Sequence, residues 1–134
     1  MDMIISFGEG KKVNASYKEM IIETDQPVKA GGEGSAAEPF TLFLASIGTC
    51  AGIYVKSFCD QRGIPADGIR LVQSMNYNRD RKIIEKINID IQLPEEFPDK
   101  YRDAVVKAAD LCTVKRHLAD PPQIEVKTSR TSGG

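Results

Sequence analysis

Apolar residues along this chain follow three patterns, and each predicts a different element. Near the start they alternate: Met3, Ile5 and Phe7, then Val13, Ala15 and Tyr17, with Gly8-Glu9-Gly10-Lys11 between the two runs. Period-two alternation across a turn signal predicts a short antiparallel hairpin with one face buried. Met20-Ile21-Ile22-Glu23-Thr24 reads as a third strand, and Asp25 to Ala37 as a polar, glycine-rich connector. The stretch from Glu38 to Cys59 is different. Phe40, Phe43, Ile47 and Tyr54 lie near one helical line, Leu42, Ala45 and Ile53 on another, and Leu44, Ala51, Val55 and Phe58 fill much of the rest. This predicts one long helix over 39–62, opened by Pro39, stopped by Gly63 and kept from continuing by Pro65. A helix apolar almost all round needs cover on more than one side. Thr, Ser, Gly and Lys interrupt it too often for a membrane span.

The second half repeats the hairpin theme. Ile69, Leu71, Met75 and Tyr77 share one face of a strand, Asn78-Arg79-Asp80-Arg81 makes a turn, and Ile83, Ile87, Ile89, Ile91 and Leu93 share one face of the partner. Glu85 breaks the alternation, as a bulge or a strand end would. Pro94 ends the strand and Pro98 opens a helix on which Tyr101, Val105, Ala108 and Cys112 recur at helical spacing. Pro121-Pro122 stops any further turn, and Gln123-Ile124-Glu125-Val126-Lys127 predicts a last strand. The order βββ-α-ββ-α-β, with hairpins in place of β-α-β alternation, points to an α+β fold with helices against antiparallel sheet. One domain is expected over 1–128, with a flexible tail at 129–134.

Composition narrows the partners. With 134 residues, 41% hydrophobic and 28% charged, the chain is long enough to close a core. A net charge of −1 provides no field to gather nucleic acid or an anionic membrane surface, so neither is expected as a partner. The start lacks a basic region followed by a long apolar run, so no secretory signal is read there. Three cysteines, an odd number, then point to a reducing, cytoplasmic setting.

Helical geometry sorts the cysteines. Cys50 and Cys59 sit nine residues apart on one predicted helix, on opposite sides and roughly 13 Å apart along the axis. A disulfide needs Cα atoms within about 7 Å, so Cys59 is no partner for Cys50 and reads as a small buried hydrophobe. Cys112, on another helix, is free either to meet Cys50 or to be an unrelated core cysteine.

The run Glu38-Pro39-Phe40-Thr41-Leu42-Phe43-Leu44-Ala45-Ser46-Ile47-Gly48-Thr49-Cys50 is followed some sixty residues on by Leu111-Cys112-Thr113-Val114 and closed by Pro121-Pro122-Gln123-Ile124-Glu125-Val126. This pattern resembles the OsmC/Ohr superfamily over roughly Gly31 to Val126. The resemblance implies antiparallel sheets wrapped around two central helices in an intertwined homodimer, with two sites at the dimer interface. It implies a peroxidatic Cys50 and a resolving Cys112, reducing organic hydroperoxides in oxidative-stress defence, with an external dithiol as reductant. The pocket beside Cys50 is then expected from Phe40, Phe43, Ile47 and Tyr54. A non-catalytic binder of a small hydrophobic ligand, its cysteines unactivated, is the alternative. Classical peroxidase members carry an N-terminal arginine and a glutamate directly after the helix-opening proline. Here no arginine precedes Arg62 and Phe40 follows Pro39. Lys18 (with Lys11, Lys12 and Lys29), Glu38 and His117 are therefore the candidate activating groups.

Other chemistries find little support. One histidine and three separated cysteines show no metal-ligand spacing, and no metal or cofactor is expected. Gly32-Glu33-Gly34-Ser35-Ala36-Ala37 matches a dinucleotide fingerprint formally, but the flanking strands read as hairpins rather than a β-α-β unit. Ser46, Thr49 and Ser57 have no His–Asp pair to activate them.

Overall fold

A computed structural model describes residues 1–131. The chain forms two compact units, residues 1–49 and the residues from Cys50 onward, and the division falls inside the long helix. Of the tail expected at 129–134, residues 132–134 lie outside the described residues.

In the first unit, β1 (Ile4–Phe7), β2 (Val13–Tyr17) and β3 (Met20–Thr24) form an antiparallel sheet in chain order. Gly10, at φ 60°, turns the first hairpin, and Lys18 takes a left-handed φ of 55° in the two-residue turn before Met20. The expected buried face is not found. Ile4, Ile5, Met20 and Ile21 are exposed, and Phe7 is 86% exposed. Alternation requires a covering layer, and among the described residues these side chains have none.

The connector 25–37 is organised by one carboxylate. Asp25 is 1% exposed. Its Oδ1 accepts from the Gln26 N–H (2.7 Å), while Oδ2 accepts from the Ser35 hydroxyl (2.7 Å), the Ser35 N–H (3.1 Å) and the Glu33 N–H (3.3 Å). The Asp25 N–H in turn donates to the Ala37 carbonyl at 3.2 Å. The Ser35 hydroxyl first, then these backbone donors, hold the Asp25 carboxyl at about 2 against burial, which pulls the other way. The loop closes tightly around this knot: a Cβ at Gly32 would lie 2.0 Å from the Gln26 carbonyl oxygen.

The helix α1 spans Pro39–Gln61. It ends as the glycine signal predicts, because Gly63 adopts φ 64° and two carbonyls of the last turn are satisfied. Ile64 N–H donates to Cys59 O (2.9 Å) and Gly63 N–H to Asp60 O (3.3 Å), the paired closure of a Schellman stop. By length and composition α1 is apolar enough to cross a membrane. The cover expected on several sides is confined to one stripe, Ile47, Ala51, Val55, Phe58 and Cys59, while Phe40, Phe43 and Ile53 stay exposed.

In the second unit β4 (Arg70–Asn78) and β5 (Ile83–Gln92) form an antiparallel hairpin. The register slips at Asn76/Tyr77: Asn76 faces Lys86 and Tyr77 faces Ile84, leaving Glu85 as the extra residue of a bulge. Glu85 Oε2 accepts from Asn78 Nδ2 at 3.0 Å and lies 3.9 Å from Arg81 Nη1, so the break in alternation is structural. One face of the hairpin, through Ile69, Leu71, Ile91 and Leu93, packs on a core of Val55, Phe58, Cys59, Phe97 and Val105. Val105 comes from α2 (Arg102–Asp110), entered through a single 3-10 turn at Asp99–Tyr101.

Two further expectations are corrected. Cys112 does not end a helical stripe. It stands in a break, with φ −50° and ψ 132°, between α2 and a separate α3 (Thr113–Ala119). An extended ψ takes its carbonyl out of the α2 ladder, and its own sulfur then caps the next helix. Residues 123–127 form no strand, and Ile124 and Val126 are 82% and 93% exposed. A strand exists only as half of a hydrogen-bonded ladder, and no edge within the described residues pairs with this segment.

Two outcomes test the Asp25 knot. Gly32→Ala forces backbone apart, an overpacking cost of about 1–3 kcal/mol that lowers the thermal midpoint by roughly 5–10 °C. A carboxyl whose pKa falls on folding stabilises the fold above its unfolded value of 3.8, and that contribution disappears as pH falls toward about 2. Thermal melts of wild type therefore lose stability over that interval. Asp25→Asn, already weakened at pH 7, is expected to show a flatter acid limb.

Candidate functional site

Cys50 lies in the middle of α1, where its own helix offers the thiol no free N–H. The break at Cys112 supplies them. Because α3 begins directly after Cys112, the Thr113 and Val114 N–H groups belong to its open first turn and have no partner within that helix. Both act as hydrogen-bond donors toward the Cys50 thiol, as does the Cys112 side chain. The Cys50 pKa is consequently held below the ordinary thiol value. Donation from the Val114 N–H is the largest influence. Burial opposes it, and the Cys112 side chain, the Thr113 N–H and the Arg116 charge act with Val114. All three cysteines are free thiols.

Around this pair the first turn of α3 is held by side chains. Cys112 Sγ accepts from the Lys115 N–H at 3.3 Å, acting as the helix cap. Thr113 Oγ1 lies 3.0 Å from the Tyr54 hydroxyl and accepts from Arg116 Nη2 at 3.4 Å. Cys112 is buried and Cys50 half-buried. Cys59 behaves as expected for a core residue: it is fully buried, and burial pushes its thiol pKa up, with the Asp60 charge adding to the effect.

A groove of about 460 Å³ is lined by Ile53, Tyr54, Ser57, Phe58 and Gln61 of α1 together with Arg62, Ala108 and Leu111, and by neither Cys50 nor Cys112. The Arg62 guanidinium lies 3.6 Å from the Phe58 ring centroid and donates to the Phe58 carbonyl at 3.1 Å. Of the four expected pocket residues, Tyr54 lines this groove. Phe40 and Phe43 stack on each other, 5.6 Å between centroids, near the start of α1, and Ile47 is buried in its stripe.

The candidate activating groups each have surroundings of their own. Lys18 Nζ sits 5.3 Å from the Tyr17 ring centroid, and Glu38 is exposed at the head of α1. His117 Nδ1 is 2.7 Å from the Thr113 carbonyl oxygen. The cation acting on Cys50 is Arg116, which sequence reasoning passed over. Its signal was present in the spacing: Arg116 follows Cys112 by one helical turn, but only if a helix starts at Thr113. Among the described residues no cluster of His, Cys, Asp and Glu is arranged to hold a metal ion.

A long central helix, a broken helix pair and antiparallel hairpins define an α+β protein, with free thiols on the long helix and at the break. The OsmC-like protein family matches residues 32–127, and the chain belongs to that family. Solved structures share the fold. One is a Psychrobacter arcticus 273-4 protein named for an osmotic stress induced and detoxification response, 21% identical, with a TM-score of 0.70 over 85% of each chain. Another is the organic hydroperoxide resistance protein OsmC of Legionella pneumophila, 18% identical, with a TM-score of 0.52 over 88% of this chain and 89% of that one. A Vibrio cholerae protein named for organic hydroperoxide resistance, with captopril bound in one of its active sites, is 13% identical, with a TM-score of 0.54 over 90% and 86%. Among curated protein sequences none matches the chain.

The opposite pKa directions of two cysteines on one helix give a direct check. At pH 7, limiting iodoacetamide is expected to label Cys50 well ahead of Cys59, with peptide mass spectrometry reading each site. Cys59 is expected to react only when the chain is unfolded.

Proposed function

We propose that this protein reduces organic hydroperoxides through the Cys50/Cys112 pair, as a single OsmC-like domain over residues 1–128 acting in the cytoplasm in oxidative-stress defence. The supporting observation is the open first turn of α3, tied to α1 by the Tyr54–Thr113 contact at 3.0 Å, whose Val114 and Thr113 N–H groups together with the Cys112 side chain lower the Cys50 pKa from its ordinary value. The thiolate attacks the distal oxygen of R–OOH and the O–O bond breaks. An alcohol leaves after taking up a proton, and Cys50 becomes a sulfenic acid. The Cys112 thiol then displaces water to form the Cys50–Cys112 disulfide, and an external dithiol returns both sulfurs to the reduced state by exchange. The names of the Legionella and Vibrio structures point to the same substrate class. The groove lined by Ile53, Tyr54, Phe58 and Leu111 suits an alkyl or aryl tail, at about 0.8 kcal/mol per buried methylene.

We further infer a homodimer. Phe40, Phe43 and Ile53 of α1 and the apolar residues of β1 and β3 are exposed. Such a concentration of apolar surface calls for a covering partner, and a second copy fits the resemblance noted in the sequence. Covering α1 in this way would also make it the core helix of a soluble protein. A non-catalytic binder of small hydrophobic ligands is the second reading, favoured by the groove itself.

With cumene hydroperoxide and dithiothreitol, wild type is expected to consume peroxide and Cys50→Ser to lose at least about 99% of the rate, since removing a nucleophile leaves only residual catalysis. Treated with peroxide in the absence of dithiothreitol, Cys112→Ser is expected to accumulate the Cys50 sulfenic acid. Equal rates for Cys50→Ser and wild type would exclude the peroxidase and leave the binder. Light scattering on the eluting protein is expected to give twice the chain mass of 14.7 kDa.

A further inference from the structure

The start of α3 carries the groups that act on Cys50, yet little holds α3 in place. The helix has seven residues, and none of them is buried. A helix this short is unstable without tertiary support, and two polar attachments supply part of it here. One attachment is internal, the Lys115 N–H on Cys112 Sγ. The other comes from α1. Tyr54 stands four residues after Cys50, one turn along the same face, and its hydroxyl lies 3.0 Å from Thr113 Oγ1. The same oxygen accepts from Arg116 Nη2 at 3.4 Å.

We propose that Tyr54 is a positioning residue for the Cys50 thiol: its hydroxyl pins Thr113, so that the Thr113 and Val114 N–H groups and the Arg116 guanidinium stay turned to the sulfur. The proposal rests on the reading of Cys50 as the reacting thiol. The remaining charged groups of this region are committed elsewhere. Lys115 pairs with Asp110, and His117 bonds to the Thr113 carbonyl. Cys112 and Arg116 are the titratable and charged side chains that face Cys50 from the α3 side. Releasing Thr113 therefore loosens two backbone donors and one cation together. Tyr54 acts through these groups and has no part in bond making.

The test uses the reduced full chain and reads the pH dependence of iodoacetamide alkylation at Cys50, site by site, by mass spectrometry. Tyr54→Phe keeps the ring in the groove and removes the hydroxyl. Thr113→Val keeps the backbone N–H and removes the other end of the bond. Each is expected to raise the Cys50 midpoint by roughly half a unit and to slow its alkylation at pH 7 about threefold, the size expected for one hydrogen bond. The double variant is expected to shift no further than either single one, because both remove the same contact. Cys59 reports on the fold in the same digest, and a variant that exposes it is replaced by the other. Midpoints unchanged from wild type in both single variants overturn the proposal. Alkylation needs no peroxide, so shifted midpoints in a chain that consumes none would reject the proposed function while sustaining the role of Tyr54.

Discussion

The reactive geometry of this protein depends on one interruption: the backbone between α2 and α3 turns extended at Cys112. Had the helix run on from Arg102, the Thr113 and Val114 N–H groups would have been spent on carbonyls of the preceding turn. Because it restarts, those donors are open, and they open beside Cys50. The interruption is stabilised from within, since Cys112 Sγ accepts the Lys115 N–H. A single cysteine thus stands in the break and caps the helix that follows.

Around that point the chain separates rigid from lightly held parts. Cys59 and Val105 are both fully buried, and with Val55, Phe58 and Phe97 they tie α1 to α2 and to one face of the β4–β5 hairpin. Loss of any of these large side chains would be felt as a cavity costing about 2–5 kcal/mol. By contrast, α3 has no buried residue and depends on hydrogen bonds to Cys112 and Tyr54. Cys50 is therefore mounted on a packed element while the groups that influence it sit on a soft one. Such placement lets the environment of a thiol change without disturbing the core.

Much of the fold was legible because local signals agreed with tertiary demand. Pro39 and Gly63 bracket α1 as written, and the misfit of Glu85 in an alternating strand marked a real bulge, visible as the Tyr77–Ile84 register slip. The nine-residue spacing separated Cys59 from Cys50 correctly, since a helix fixes direction rigidly. Other features escaped because they are not encoded locally. Residues 123–127 have strand composition but no edge to join, and the three N-terminal strands alternate without a covered face. Arg116 was overlooked for a related reason: its relation to Cys50 exists only if a helix starts at Thr113, and the residue that caps that helix is a cysteine, which is no ordinary start signal.

The Asp25 loop has a consequence for how the chain acquires its shape. Every bond that closes it runs to a neighbour no further along than Ala37. Chain entropy lost on closing so short a circuit is small, and it grows only slowly with length. The approach to α1 can therefore order early, from nearby parts alone, while the meeting of Tyr54 with Thr113, fifty-nine positions apart, waits for the slower search across the whole chain.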